Sequence, residues 1–338
     1  MSCYSKISKK FYISVIFNLT KDALMKRFAY SLVLIFLPAL IYSQERHIVV
    51  AADGSGEFTS VQEAVNSIRA YMPDRTFMFI KNGIYREKII IPSWVTNLTV
   101  TGESVENTII TWNDHANIRN MGTFRTYTIW VQGVGFTAEN ITFENNAEQL
   151  GQAVAVHVDG DRAIFRNCRL LGNQDTLLTA NQESRQYYED CYIEGTTDFI
   201  FGPATAWFEN CHIHSKKNSY ITAASTVQTQ KFGYIFNRCR LTAAEGITKV
   251  YLGRPWRAYA ATVFLNCEMG NHILPAGWHN WDKPLNEKTA RYAEYHSTGA
   301  GANPGARVAW SRQLSRREAK IYIVSNVFSR YDGWNPVK

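Results

Sequence analysis

Five times between residues 165 and 267 the chain repeats an aromatic residue, two further residues and a cysteine. The copies are Phe165-Arg-Asn-Cys168, Tyr188-Glu-Asp-Cys191, Phe208-Glu-Asn-Cys211, Phe236-Asn-Arg-Cys239 and Phe264-Leu-Asn-Cys267. Each is followed by a short strand-like run, and the cysteines stand 23, 20, 28 and 28 residues apart. Asn97-Leu-Thr-Val100 and Asn140-Ile-Thr-Phe143 read as earlier copies of the unit without the cysteine. A period of this size is one supersecondary unit that buries its apolar face against the next, which makes a solenoid. Strong helical periodicity is missing between the repeats, so alternating strand–helix units fit poorly. The pattern predicts an all-β parallel β-helix, with short strands joined by turns rich in Asn, Gly and Asp. The cysteines would then stack as small apolar residues along one inner wall. Equivalent positions on neighbouring coils lie about 4.8 Å apart, inside the window a disulfide needs, so spacing alone leaves their oxidation open. Zinc is not expected, because thiolate sites draw on closely spaced pairs and no Cys-x-x-Cys occurs.

A solenoid's open ends need covering. Ser60-Val-Gln-Glu63 has the form of a capping box, and Val61, Ala64, Val65 and Ile68 follow one helical face. This predicts a short amphipathic helix closing the N-terminal end. From about Lys283 the cysteine repeat is lost, and the tail is expected to pack back on the side or end of the solenoid. No linker or low-complexity stretch interrupts residues 44–338, which read as one domain.

The formal charge of +7 is unevenly placed: residues 1–43 carry +5 and the remainder +2. A nearly neutral body gives no reason to expect a nucleic acid partner. Met25-Lys26-Arg27 is a short basic start, Phe28 to Tyr42 is almost continuously apolar, and Ser43 ends the run. That is the layout of a secretory signal peptide, shorter than the ~20 residues a membrane span needs. Met25 reads as the initiator, with residues 1–24, including Cys3, upstream of it. The expectation is a secreted or periplasmic protein without stable membrane insertion, and a monomer.

Asp175 lies seven residues after Cys168, and Asp198 lies seven after Cys191. If the cysteines stack, the two carboxylates occupy equivalent places on successive coils. Two such groups resist being ionised together, so one serves as an acid and the other as a base or nucleophile. Two solvated turn aspartates would be the bland alternative, but their neighbours favour chemistry. Gln174 and Gln152 offer amide donors for an oxyanion. Arg254, in Leu252-Gly-Arg-Pro-Trp256, can keep one carboxylate charged. Trp256 offers a flat apolar face for a sugar ring, against an ordinary packing role.

These stretches, with several others, resemble the pectin methylesterases. The others are Gly83-Ile-Tyr-Arg-Glu87, Gly135-Phe136, Asn140-Ile-Thr-Phe-Glu-Asn145, Gln152-Ala-Val-Ala-Val156, Gly195-Thr-Thr-Asp-Phe-Ile-Phe-Gly202 and Pro275-Ala-Gly-Trp278. They occur in family order over roughly residues 47–330. The resemblance implies a right-handed parallel β-helix that acts on methyl-esterified pectin without a metal or organic cofactor. It implies Asp198 as nucleophile, and Asp175 as the acid that protonates methanol and the base that then activates water. Gln174 with Gln152 would hold the oxyanion. Arg254 would keep Asp198 ionised and, with Trp256, help bind the galacturonate chain; Thr123 aligns with a substrate-contacting threonine. Plant members bridge the positions of Cys191 and Cys211, which leaves a disulfide there as one of two outcomes. Leu178 stands where the family usually has Tyr, so an aromatic sugar contact is expected to be missing.

Other chemistries find less support. No Gly-x-Ser-x-Gly elbow is present, and Gly299-Ala-Gly301 lacks a dinucleotide-site context. His212 and His214 share a strand face but want a third metal ligand. A calcium-dependent lyase would need an acidic cluster that the sequence does not offer. A glycosidase with paired carboxylates, or a non-catalytic adhesive solenoid, remain the competing readings.

Overall fold

The computed structural model describes residues 45–329 and 332–337. The expected export segment, Met25 and Cys3 lie outside the described residues. Among the described residues the strands form three sheets of eleven, eight and seven strands, with parallel pairing throughout each ladder. One coil shows the plan. Ala163–Arg166 lies in the large sheet, Arg169–Leu171 in the eight-stranded sheet and Leu177–Thr179 in the seven-stranded sheet. Arg185–Glu189 then returns to the large sheet beside its predecessor. The chain is a parallel β-helix, and its apolar core fills the interior of the coils.

The repeat places one residue type over itself. Phe165, Tyr188, Phe208, Phe236 and Phe264 are in register across the large sheet. Their rings stack at centroid spacings of 5.1, 4.8, 4.4 and 4.5 Å. The third residue of each repeat turns the corner in the left-handed region: Asn167, Asp190, Asn210, Arg238 and Asn266 have φ between 46° and 56°. Asn and Asp tolerate that backbone best, which explains their recurrence there. The cysteine then faces inward, and its carbonyl accepts from the next coil, as in Tyr192 N–H to Cys168 O and His212 N–H to Cys191 O.

One open alternative is decided and one expectation needs correction. Cys191 and Cys211 are free buried thiols, not a disulfide. Each instead hydrogen-bonds inward to backbone carbonyls, Cys191 to Phe165 O and Cys211 to Tyr188 O, both at 3.5 Å. Asn140-Ile-Thr-Phe143 is a copy of the unit, with Ile141 in the cysteine column and Asn140 at φ 57°. Asn97-Leu-Thr-Val100 is not: Leu98–Gly102 is a large-sheet strand, and Val100 aligns with Ala138 in the column of the aromatic ladder. Both segments begin with a left-handed Asn, but at different corners of the coil.

The N-terminal helix spans Val61–Asn66 and buries Val61, Ala64 and Val65, with Ile68 just beyond. Ser60 accepts the Glu63 N–H at 3.3 Å, but Glu63 is exposed and does not complete the capping box. Glu87 does so from a distance. Its carboxylate accepts from Ser60 Oγ at 2.7 Å and from the Val61 and Gln62 N–H groups at 2.9 Å each. A carboxylate at a helix start satisfies donors that have no partner within the helix. At the other end the tail first adds Arg291–Tyr295 to the large sheet. It then lays Val327 and Phe328 over Tyr187, Trp207 and Ile235 on that sheet's outer face.

Candidate active site

Asp175 and Asp198 sit in the connections that lead from the eight-stranded sheet into the seven-stranded sheet. Each precedes its strand by two residues, and the strands are in register through Leu177 and Ile200. The carboxylates therefore stand in one column on successive coils. Both residues hold left-handed backbone, with φ of 67° and 49°. The next coil fixes them: the Asp175 N–H donates to Thr197 O at 3.1 Å, and the Asp198 N–H donates to Tyr220 O at 2.8 Å. Gly172 and Gly195 stand three residues before the two aspartates, and a side chain at either would collide. A Cβ on Gly195 would lie 2.2 Å from the Phe199 Cβ and 2.7 Å from Asn173 O.

Asp198 and Asp175 are 6% and 8% exposed, so both carboxyl groups are largely removed from water. Their partners differ. Arg254 grips Asp198 with two parallel bonds, Nε to Oδ1 at 3.0 Å and Nη2 to Oδ2 at 2.6 Å. Among the described residues no cation makes such a pair with Asp175. Burial raises the pKa of Asp198 above the ordinary carboxylate value, and the Arg254 hydrogen bonds and charge only partly oppose the rise. Asp175 is pushed well above the usual carboxylate range, first by burial and then by the charge of Asp198, with only a weaker opposing pull from Arg254. The proton of the pair therefore belongs on Asp175.

All seven residues singled out in the sequence converge. Thr123, Gln152, Gln174, Asp175, Asp198, Arg254 and Trp256 line one cleft of about 330 Å³. It is completed by Phe124, Phe201, Ala223 and Trp281, which sequence reasoning did not select. Phe201 follows Ile200, which faces the core, so the strand alternation turns Phe201 to the outer face. Phe124 comes from the single-turn 3-10 helix Thr123–Arg125 and Trp281 from a turn, and neither carries a strand period. A second cleft of about 700 Å³ adjoins the first across Phe124 and Trp256. Its wall includes Leu178, in register with Phe201 along the outer face of the seven-stranded sheet. His157 aligns with Leu178 on that face, stacks on Trp130 and lies 3.3 Å from Asp159. His212 and His214 are elsewhere, both bonded to Thr242 Oγ1 on the eight-stranded sheet. Among the described residues no group of three or more His, Cys, Asp or Glu side chains converges as a metal site.

Two stacked carboxylates, an arginine on one of them and an open groove alongside are a side-chain set suited to paired-carboxylate chemistry. The pectinesterase family model matches residues 47–330. The chain is 42% identical over 289 residues to pectinesterase 31 of Arabidopsis thaliana, covering 82% of this chain and 90% of that protein. Among solved structures it is similar to pectin methylesterase from carrot, with a TM-score of 0.79 and 35% identity over 83% of this chain and 92% of that one. Pectin methylesterase PemA from Erwinia chrysanthemi gives a TM-score of 0.75 and 30% identity, covering 87% of this chain and 99% of that one. The chain belongs to the pectinesterase family and is a carboxylic ester hydrolase.

Proposed function

We propose that this enzyme hydrolyses the methyl esters of galacturonate units in pectin through an acyl-enzyme on Asp198, releasing methanol and pectate. One observation carries the division of labour: Arg254 pairs with Asp198 and not with Asp175. The charged carboxylate is the nucleophile and the protonated one is the acid. An Asp198 oxygen attacks the ester carbonyl carbon, and the carbonyl oxygen takes up negative charge. The amide N–H groups of Gln174 and Gln152 are the donors in this cleft suited to that charge. As the tetrahedral intermediate collapses, the C–O bond to the methoxy group breaks and Asp175 gives that oxygen its proton. Asp175, now a carboxylate, removes a proton from water as the water attacks the acyl-enzyme carbonyl. Collapse of the second intermediate frees the Asp198 carboxylate, leaves a galacturonic acid in the chain and returns Asp175 to its protonated form.

The groove supports a polymeric substrate, with Trp256, Phe124 and Phe201 offering ring faces and Thr123 a hydroxyl beside the reacting centre. The apolar cleft next to it suits an adjacent sugar whose carboxyl is esterified. Leu178 there gives apolar contact without an aromatic face. We further propose that the chain is exported by its apolar segment within residues 25–43, and acts on pectin outside the cytoplasm as a single domain over residues 44–338. Among the described residues no helix is long and apolar enough to cross a membrane.

Product analysis on methylated pectin tests the reaction. Methanol should appear with the chain length unchanged; new reducing ends or unsaturated ends would mean a glycosidase or a lyase. Asp198→Ala should lose several orders of magnitude in turnover and still bind pectin. Methanol release near the wild-type rate from that variant would refute the assignment. A chelator should leave the rate unchanged, because no step above uses a metal.

A further inference from the structure

We infer that Tyr220 and Trp281 are positioning residues, which clamp the Arg254 guanidinium between their rings and thereby fix the two-point grip that keeps Asp198 ionised. The inference rests on the nucleophilic role given to Asp198 above. The guanidinium carbon lies 4.0 Å from the Tyr220 ring centroid and 3.7 Å from that of Trp281. Both are well inside the ~6 Å over which a cation is held by a ring face. A guanidinium makes two parallel bonds to a carboxylate only when the planes match, and a free arginine side chain samples many rotamers. Rings on both faces of the guanidinium leave its edge to Asp198.

Tyr220 belongs to the same column as the aspartates, one coil beyond Asp198. Its carbonyl accepts the Asp198 N–H at 2.8 Å. One residue thus sets both the backbone of the nucleophile and the platform under its cation. Tyr251, its register partner, stacks behind it at 5.3 Å with planes 16° apart. His279 packs on both rings, at 5.5 and 5.2 Å. His279 also holds the other jaw: its Nδ1 accepts the Trp281 N–H at 3.0 Å, where Trp281 has a left-handed φ of 62°. The Arg254 N–H donates to Thr222 O at 2.9 Å, so the base of the side chain is anchored as well. The titratable groups around the clamp are Asp198 and Asp175 on the cleft side, and Tyr220, Tyr251, His279 and Asp282 behind it.

A ring beside a saccharide groove could instead serve only as a sugar platform, and the two roles separate kinetically. Methanol release from methylated pectin would be measured as kcat and KM across pH for Trp281→Leu, Trp281→Phe, Tyr220→Leu and Asp198→Asn, with a melting curve for each. Loosening the clamp in Trp281→Leu should lower kcat on the order of 10- to 100-fold with little change in KM. It should also move the acid limb of the profile up by about one pH unit, because Asp198 loses part of its opposing charge. Trp281→Phe should restore most of both. Tyr220→Leu should shift the same limb; Tyr220 is not among the residues lining the cleft, so a sugar contact cannot explain that shift. A raised KM with kcat and the acid limb unchanged would overturn the clamp in favour of a platform. An acid limb unmoved in both Leu variants would overturn it too, whatever the melting curves show. Asp198→Asn with wild-type turnover would sink the nucleophile assignment instead, and is read independently of the ring variants.

Discussion

At the scale of single residues, Asp175 and Asp198 share a backbone conformation and a column, so in the proposed mechanism it is their neighbours that divide the chemistry. The division has a thermodynamic consequence. Burial and the Asp198 charge raise the folded-state pKa of Asp175 above its unfolded value. A group raised in this way contributes stability that is complete below the unfolded pKa and is lost as pH rises through the folded one. Asp175→Asn removes the titration. The variant should melt above the wild type at pH 7, and the gap should close as pH falls below about 4. Its methanol release should fall by at least about 100-fold, since the acid is gone. A lower melting temperature than wild type at pH 7 would contradict the buried, protonated carboxyl. Most of the cleft could be read beforehand because Asp175 and Asp198 each stand seven residues after a repeat cysteine and Arg254 lies in the Leu252-Gly-Arg-Pro-Trp256 motif. Tyr220 could not, because it stands nine residues after Cys211, whereas the aspartates stand seven after their own cysteines, so the repeat spacing does not place it in their column. Trp281 reaches the site by a loop turn, which no pattern in the chain announces.

At the scale of elements, coil length shapes the groove. The coil from Cys191 to Cys211 is the shortest, at 20 residues, and carries Asp198. The next two, at 28 residues each, spend their extra length on loops such as 225–233 and 254–260. Ser225, Thr226, Val227, Trp256 and Tyr259 from those loops wall the larger cleft. The site thus has a floor of short coils and walls of long ones. Gly195 keeps the floor tight, and Gly195→Ala must push Phe199 aside, directly after Asp198. The variant should lose about 2 kcal/mol of stability by chemical denaturation and have a reduced kcat. Wild-type values for both would mean that the turn relaxes freely. A second element-level effect sits at His272, 2% exposed just after Gly270. Burial first, and His214 second, lower its pKa to about 4. A depressed group gives stability present above its unfolded pKa and lost as pH falls through the folded one, so His272 should weaken the fold between about pH 6.5 and pH 4. His272→Gln should flatten the fall in melting temperature across that window. The repeat made the coils legible, but not which corner an isolated left-handed Asn occupies. Asn97 and Asn140 look alike in sequence and are distinguished only by strand register.

At the scale of the whole molecule, the cleft proposed to perform the reaction lies apart from the fastening of the tail. The cleft opens on the seven-stranded sheet, whereas the tail is fastened over the outer face of the large one. Its fastening is an arginine buried in the large sheet. Arg185, 3% exposed in its side chain, bonds Asp161 through Nε and Nη2 at 2.9 and 2.6 Å. It reaches Asp332, 147 residues further along, at 2.8 and 2.7 Å, and the Phe328 carbonyl at 2.8 Å. Trp334 packs over the same guanidinium at 5.2 Å. Arg185 is the buried member of the set, while the Asp161 and Asp332 side chains are 26% and 35% exposed, so removing it forfeits charge-assisted hydrogen bonds, about 2 kcal/mol, rather than burying a lone charge. Arg185→Met retains much of the apolar stem but removes the partner of Asp161 and leaves Asp332 only the longer Arg162 contact at 3.8 Å. The variant should therefore lower the melting temperature and expose the tail to protease near Phe328. Its kcat and KM on methylated pectin at 25 °C should stay at wild-type values, because no residue of the fastening lines either part of the groove. A fall in kcat without a fall in melting temperature would show that the tail influences the reacting carboxylates through the core. In that case the large sheet would be part of the catalytic apparatus rather than its support.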